Sequence, residues 1–310
     1  MQIGFVGLGK MGGNMVTRLR RDSDHEVVAF DFSADAVKAA EEHGATGAST
    51  LQEMVGKLNA PRAAWVMVPA GRPTSDTIDQ LLDLMSEGDL IVDGGNSKWT
   101  DSIAHHARCA QRGVKFVDVG TSGGVWGLAI GYCMMVGGED EAVSMLAPIL
   151  DVLAPPATED LPTIGWGHMG GPGAGHYVKM IHNGIEYGLM QSYAEGFALL
   201  HESEYGLDNE QIAKLWGKGS VIRSWLLELG ARAFEVDGND LGSLEGWVED
   251  SGEGRWTLDQ AIEHGVPMPT LSAALFARFS SRGEGEYAAR VTAALRNQFG
   301  GHAVKTAPKI

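Results

Sequence analysis

The stretch "GFVGLGKMGGNM", residues 4 to 15, decides how the chain begins to fold. An apolar run, Gln2 to Val6, leads directly into Gly7-x-Gly9-x-x-Gly12, and those glycines open a segment of helical period. Gly7 allows a tight turn, Gly9 lets a pyrophosphate approach the backbone, and Gly12 permits close packing of helix on strand. The amides that open the helix, from Leu8 through Lys10 and Met11, then face phosphate oxygens. A lone motif of this kind is weak in a chain with 43 glycines, so its context matters. Asp31 closes the next candidate strand about twenty residues past Gly12, where a carboxylate accepts from both hydroxyls of an adenosine ribose. The same charge repels a 2′-phosphate, so NAD is expected over NADP. The competing reading, a structural turn beside a solvated acid, leaves strand, motif, helix and acid in register by accident.

Working outward, short apolar runs alternate with helical stretches, as a parallel sheet wrapped by helices requires. Candidate strands are Gln2 to Val6, Glu26 to Phe30, Ala63 to Val68, Leu90 to Asp93, Lys115 to Val119 and Tyr132 to Val136. Ligands gather at the carboxyl ends of such strands, which marks Val68, Pro69 and Asn96 as further cofactor candidates. Residues 165 to 175, "GWGHMGGPGAG", are too glycine-rich for the interior of an element and end the strand pattern. Beyond them the period is helical. Asp208 to Gln211 makes a start signal, with Asp208 capping and Gln211 reaching back, and Pro267 and Pro269 precede a helix from Thr270 to Ser280. The expected architecture is an α/β Rossmann-type dinucleotide-binding domain, 1–165, followed by an all-α domain, 166–310.

Composition narrows the classes of function. With 310 residues, 44% hydrophobic and 21% charged, the chain reads as an ordinary globular protein of two domains. A net charge of −16 repels nucleic acid and anionic bilayers, so neither is an expected partner. An anionic ligand therefore needs a local cluster of bases. Cys109 and Cys133 form neither a disulfide framework nor a metal pattern, and each reads as a buried apolar residue. No metal is expected. The amino terminus is not built like a signal peptide and no apolar run reaches the length of a membrane span, so a cytoplasmic location is expected.

Two loops suit a small acid. "IVDGGNSKW" sets Asn96 and Ser97 just past a strand, and "VDVGTSGGVWG" does the same for Ser122, Gly123 and Gly124. Consecutive amides at Gly123 and Gly124 with the Ser122 hydroxyl form a concave anion site, although either loop alone reads equally as a plain turn.

"YVKMIHNGIEY", residues 177 to 187, reads as helix. At about 100° per residue, Lys179, His182, Asn183, Glu186 and Tyr187 fall within about 140° of arc. Val178, Ile181, Ile185 and Leu189 cluster opposite, and that apolar side is expected to anchor the helix. Solvated faces favour repeated Lys and Glu, whereas this stripe carries one each of five different functions beside small residues. A site is the better reading.

The run "GAGHYVKMIHNGIEYGLMQ", with "GGNS", "TSGG" and the distal "RNQFGGH", resembles the 6-phosphogluconate dehydrogenase family, decarboxylating enzymes of the pentose phosphate pathway. The resemblance extends from Gln2 to about His302. It implies that Lys179 is the general base that takes the 3-hydroxyl proton of 6-phosphogluconate while the C3 hydride passes to the nicotinamide. It also implies that Glu186 protonates C1 of the enediol left after carbon dioxide departs. Lys179 must begin uncharged, which an enclosed site favours; a fall of about three pKa units corresponds to about 4 kcal/mol. By the same resemblance Asn96, Ser122, Gly123, Gly124, His182 and Asn183 hold the carboxylate and hydroxyls. Tyr187, Arg255, Thr257 and Arg278 gather round the phosphate, where a planar guanidinium engages two oxygens at once, and Arg296 and His302 complete that end.

Three departures from the longer members stand out. The helical half is shorter, which leaves open which subunit supplies Arg296 and His302 in a homodimer or homotetramer. Asp31-Phe32-Ser33 stands where NADP-dependent members carry Asn-Arg-Thr, which favours NAD. Arg255 stands where lysine is usual. Two other readings compete. A related β-hydroxyacid dehydrogenase, of the 3-hydroxyisobutyrate or tartronate semialdehyde type, shares the loops and the lysine but has no need of phosphate-binding arginines. A non-catalytic NAD-binding regulator needs neither Lys179 nor Glu186.

Overall fold

The computed structural model describes residues 1–283, 285–300 and 305. The chain forms two compact units, Met1–His182 and Asn183–Ile310. The first unit runs β1 (Gln2–Val6), α1 (Lys10–Asp22), β2 (Glu26–Phe30), α2 (Ala34–Glu42), β3 (Thr46–Ala48), α3 (Leu51–Gly56), β4 (Ala63–Val66), α4 (Arg72–Leu84) and β5 (Leu90–Asp93). It continues through α5 (Trp99–Gln111), β6 (Lys115–Ser122), α6 (Gly127–Ile130), β7 (Cys133–Gly138), α7 (Asp140–Leu153) and β8 (Trp166–Gly170) into α8 (Ala174–His201). The boundary between the units lies within α8. Helices α9 (Asn209–Trp216), α10 (Trp225–Asp237), α11 (Glu253–His264), α12 (Pro269–Ser281) and α13 (Glu286–Gly300) follow.

The strands form one eight-stranded sheet in the order β3-β2-β1-β4-β5-β6-β7-β8. Among the described residues only β6 and β7 pair antiparallel, with Ser122 opposite Cys133; the other pairs are parallel. Alternation along each strand feeds two cores. Ile3, Phe5 and Val117 pack with Met15, Leu19 and Leu150 on one face, whereas Val6 and Phe116 pack with Met54 and Ile78 on the other. With helices covering both faces, the carboxyl ends of the strands remain as the place where loops can gather. The strand order reverses between β1 and β4, the switch point at which open α/β sheets bind ligands.

The sheet differs from the sequence reading in several places. The glycine-rich segment contains a strand, β8, which pairs with β7 at the edge of the sheet. Glycines are tolerated there because an edge strand has one neighbour and little side-chain packing to satisfy. Strand β3 is too short to show a period. Strand β4 ends at Val66, which leaves Val68 and Pro69 in the loop, and β6 extends to Ser122 instead of ending at Val119.

In the second unit, Phe197, Leu227 and Phe234 form one core, and Tyr187, Leu271 and Leu275 form another. Asp208 caps α9 by accepting from Gln211 N at 3.1 Å. Asn239 braces that turn from outside the helix: its amide donates to Asp208, and its oxygen accepts from Glu210 N.

The expected anchorage of α8 is reversed. Val178, Ile185 and Leu189 are exposed at 37%, 58% and 44%, whereas Lys179, Met180, Gly184 and Tyr187 are buried. Glycines explain the reversal. Gly184 admits Thr257, and in the first unit Gly120 lies where a Cβ would come within 2.3 Å of the Lys179 Cβ. The helix therefore packs through its small and polar side. Cys109 is buried as expected and burial pushes its thiol up to about 12, but Cys133 is exposed, because it lies on β7 at the open end of the antiparallel pair.

Candidate active site

The dinucleotide loop has the geometry that the phosphates of a nucleotide require. Gly7 has φ +94°, and a Cβ there would stand 2.4 Å from Met67 O. A Cβ on Gly12 would stand 2.0 Å from Gly7 O, so only glycine lets α1 start this close to β1. Nothing lies within 4 Å of the Cβ position of Gly9, which leaves that face of the turn open to a ligand. Gly9 is also the N-cap of α1 and brings no side chain to its orphan amides, including Lys10 and Met11. Leu8 N is committed elsewhere: it donates to Asp31 Oδ2 at 2.7 Å, while Ser33 N donates to Asp31 Oδ1 at 2.8 Å. Asp31 is thus held rigidly at the end of β2 with lone pairs to spare. It borders a hollow of about 500 Å³ lined by Phe30, Phe32, Thr50, Gln80 and Leu84, roomy enough for a purine. Phe32 is 91% exposed. These residues fit a dinucleotide with a free ribose 2′-hydroxyl.

A second group lies at the ends of β5 and β6. Gly123 and Gly124 both have positive φ, +129° and +53°, which gives glycine a reason to be at each position. Ser122 closes β6, with its hydroxyl 3.4 Å from His182 Nε2. Lys179 sits one turn earlier on the same helix, 9% exposed, over Gly120. Asn96 is exposed in the loop after β5, whereas Ser97 beside it is buried. Lys179, His182 and Ser122 therefore come together around the end of β6.

In the second unit, α8 continues with Asn183, Glu186 and Tyr187. Asn183 Nδ2 donates to Glu253 Oε1 at 3.1 Å, and Ser251 Oγ donates to Glu253 Oε2 at 2.6 Å, so a buried carboxylate fixes the amide. Glu186 is half-buried on the same face. Tyr187 is buried against Gly254. The Arg278 guanidinium lies over its ring, 3.4 Å from the centroid, and donates to Glu249 O at 2.9 Å. Arg255 forks onto Asp250, with Nη2 to Oδ2 at 2.8 Å and Nε to Oδ1 at 3.2 Å. The pair holds the Asp250 carboxyl below its ordinary value.

Thr257, Arg296 and His302 were also expected at the phosphate end. Thr257 has no exposure; its hydroxyl donates to Glu253 O and its methyl packs toward Gly184. Arg296 is exposed on α13, whose described side chains are all exposed, and His302 lies outside the described residues. Others were not anticipated from the sequence. Glu253 carries no signal beyond an acid between glycines. Arg282, 3.4 Å from Asp250 Oδ2, follows Arg278 at the i, i+4 spacing that places two residues on one helix face.

Comparisons with known proteins identify the family. Residues 2–159 match the NAD binding domain of 6-phosphogluconate dehydrogenase, and residues 175–307 match the 6-phosphogluconate dehydrogenase C-terminal domain. The NAD(+)-dependent, decarboxylating 6-phosphogluconate dehydrogenase of Haloferax volcanii is 44% identical over 304 residues, which are 98% of each chain. The decarboxylating 6-phosphogluconate dehydrogenase of Staphylococcus aureus is 36% identical over 291 residues, 90% of this chain and 61% of that one. Among solved structures, the Plasmodium falciparum 6-phosphogluconate dehydrogenase, known in complex with NADP+ and with 6-phosphogluconate, aligns with a TM-score of 0.81 at 26% identity. That alignment covers 100% of this chain and 67% of that one. Matched in both halves and over nearly its whole length, the chain belongs to the 6-phosphogluconate dehydrogenase family.

Proposed function

We propose that the protein oxidises 6-phospho-D-gluconate with NAD and releases D-ribulose 5-phosphate and carbon dioxide. The observation that carries this reading is the polar stripe of α8, with a buried lysine and a half-buried glutamate two turns apart on the one helix. Lys179 Nζ takes the proton of the 3-hydroxyl, and its 9% exposure favours the uncharged amine that a base needs. NAD, when bound, accepts the C3 hydride. The protonated Lys179 then polarises the new C3 carbonyl, the C1–C2 bond breaks, and its electrons form the enediol as carbon dioxide leaves. Glu186 delivers a proton to the former C2, which becomes C1 of the pentose, while Lys179 takes back the enol proton from the former C3 oxygen. Ser122, His182, Asn96 and Asn183 hold the carboxylate and hydroxyls, with the Gly123 and Gly124 amides, and Arg255, Arg278 and Tyr187 serve the phosphate.

NAD is the expected nucleotide because Asp31 is held at the ribose end and no basic residue stands at positions 32 or 33 to meet a 2′-phosphate. We further propose a homodimer or homotetramer. The exposed stripe of Val178, Ile185 and Leu189, and a helix α13 whose described side chains are all exposed, are costly in a monomer. We assign the protein to the cytoplasm, where its two free thiols stay reduced. No described helix is long and apolar enough to cross a membrane.

The test measures nucleotide reduction with NAD and with NADP, each supplied with 6-phosphogluconate and with gluconate. Turnover of the phosphorylated acid with NAD is expected. Reduction with 3-hydroxyisobutyrate but not with 6-phosphogluconate would favour the β-hydroxyacid reading instead.

A further inference from the structure

Asp118 and His176 are buried polar side chains that the chemistry above does not use. Asp118 lies in the middle of β6, with no exposure. Its Oδ1 accepts from Gly173 N at 2.7 Å and its Oδ2 from His176 N at 2.8 Å. Those amides belong to the residue before α8 and to its first turn, where a helix lacks partners for its donors. A side chain usually caps its own helix; here a strand of the sheet caps α8 from a distant part of the chain. The carboxylate also meets the positive end of the helix dipole.

His176 holds the same turn from the other side. Its Nε2 lies 3.0 Å from Gly95 O and its Nδ1 2.7 Å from Ser102 Oγ. A carbonyl can only accept, so Nε2 donates to Gly95 O, and Nδ1 pairs with the serine hydroxyl. Gly95 O belongs to the peptide that leads into Asn96. One imidazole thus ties the first turn of α8 to the Asn96 loop, and Lys179 lies one turn further along the same helix.

Glycines make the fit close. A Cβ on Gly175 would stand 2.5 Å from Met135 O, and one on Gly137 would stand 2.6 Å from Gly175 N. With backbone pressed on backbone, small changes in the clamp become shifts of the helix.

We propose that Asp118 and His176 are positioning residues that fix the register of α8 on β6 and so set the Lys179 amine against the Asn96 and Ser122 loops. The assignment rests on the function proposed above for Lys179. Asp118→Asn leaves one acceptor oxygen for two amides and turns an NH₂ toward the other. His176→Gln keeps a donor for Gly95 O, whereas His176→Ala keeps none.

The experiment has two parts, both on the full chain. Steady-state kinetics with 6-phosphogluconate and its C3-deuterated form should show kcat lowered about 30- to 100-fold in Asp118→Asn and His176→Ala, the scale of a displacement of about 1 Å at a reacting group. The KM for NAD should stay within about twofold, because the nucleotide loop lies on other strands. The deuterium effect on kcat should rise as hydride transfer becomes limiting, and His176→Gln should recover most of the rate. A lower melting temperature with kcat, isotope effect and KM unchanged would make the clamp purely structural and overturn the proposal. So would failure of His176→Gln to exceed His176→Ala. If Asp118→Asn does not fold, the histidine pair decides alone. Amide hydrogen exchange at Gly173 and His176 needs no substrate: strong protection in the wild type is expected, and rapid exchange would overturn the clamp. Absence of wild-type turnover would refute the proposed function instead, with protection of those amides unaffected.

Discussion

Replacing Asp31 by asparagine separates the two things this carboxylate does. Its oxygens already accept from Leu8 N at 2.7 Å and Ser33 N at 2.8 Å, so part of any effect comes from a looser nucleotide loop. That part acts on NAD and NADP alike and cancels in the ratio of their kcat/KM values. What remains concerns the ribose. Bonds to a charged acceptor are worth about 1.5–3 kcal/mol, and asparagine offers one acceptor in place of two, so NAD should lose about 2 kcal/mol, or about 30-fold. For NADP, a carboxylate about 5 Å from a 2′-phosphate at an effective dielectric near 40 costs about 2 kcal/mol per charge pair. Removing it should restore about 30-fold on that side. The NAD-to-NADP ratio should therefore fall on the order of 10³-fold, measured as kcat/KM for each nucleotide with saturating 6-phosphogluconate. A ratio within about threefold of wild type, with both values lowered together, would leave Asp31 as a loop brace alone.

Lys179→Ala should abolish nearly all hydride transfer while 6-phosphogluconate still binds, as judged by calorimetry; near-normal turnover would remove Lys179 from the mechanism. Gly120→Ala puts a methyl where the Lys179 Cβ is only 2.3 Å away, so the helix must retreat and kcat should fall about 10²-fold in steady-state assays. An unchanged kcat would show that the lysine tolerates the shift. Arg278→Ala removes the guanidinium over Tyr187 and should raise the KM for 6-phosphogluconate by tenfold or more, on the scale of about 1.5–3 kcal/mol for a bond to a charged group. A KM that stays put would put the phosphate elsewhere. Hydrogen bonding from Arg255 holds the Asp250 carboxyl below its ordinary value of 3.8. A depressed folded-state value means that this contribution to stability is complete above 3.8 and fades as pH falls through the lower folded value. Asp250→Asn should therefore be less stable than wild type at neutral pH, with the gap closing in acid; urea unfolding across that range would refute the pairing if the gap stayed constant.

The first half of the fold was legible because its strands are apolar runs that end in glycine, and because Gly7, Gly9, Gly12 and Asp31 form a pattern fixed by the shape of a nucleotide. Strand β8 escaped because its sequence, Trp166–Gly170, shows no period; its pairing is supplied by β7. The direction in which α8 packs was read the wrong way round for a related reason. Periodicity reports which residues share a face, but not which face the neighbours cover, and glycines such as Gly120 and Gly184 let the polar face go inward. Among the candidate residues, chemically unusual neighbours such as Lys179, His182 and Glu186 stood out in the sequence. Asp118, His176 and Glu253 did not, since each acts through a backbone amide, a carbonyl or another side chain that only the fold brings near.

The most direct test of the account is the stoichiometry of products from 6-phosphogluconate labelled with carbon-13 at C1, followed by nuclear magnetic resonance alongside the absorbance of reduced nucleotide. The account predicts one labelled carbon dioxide for every NAD reduced, with the label absent from the sugar phosphate. Reduced NAD accumulating while the label stays in a keto acid, or no reduction with this substrate at all, would contradict it.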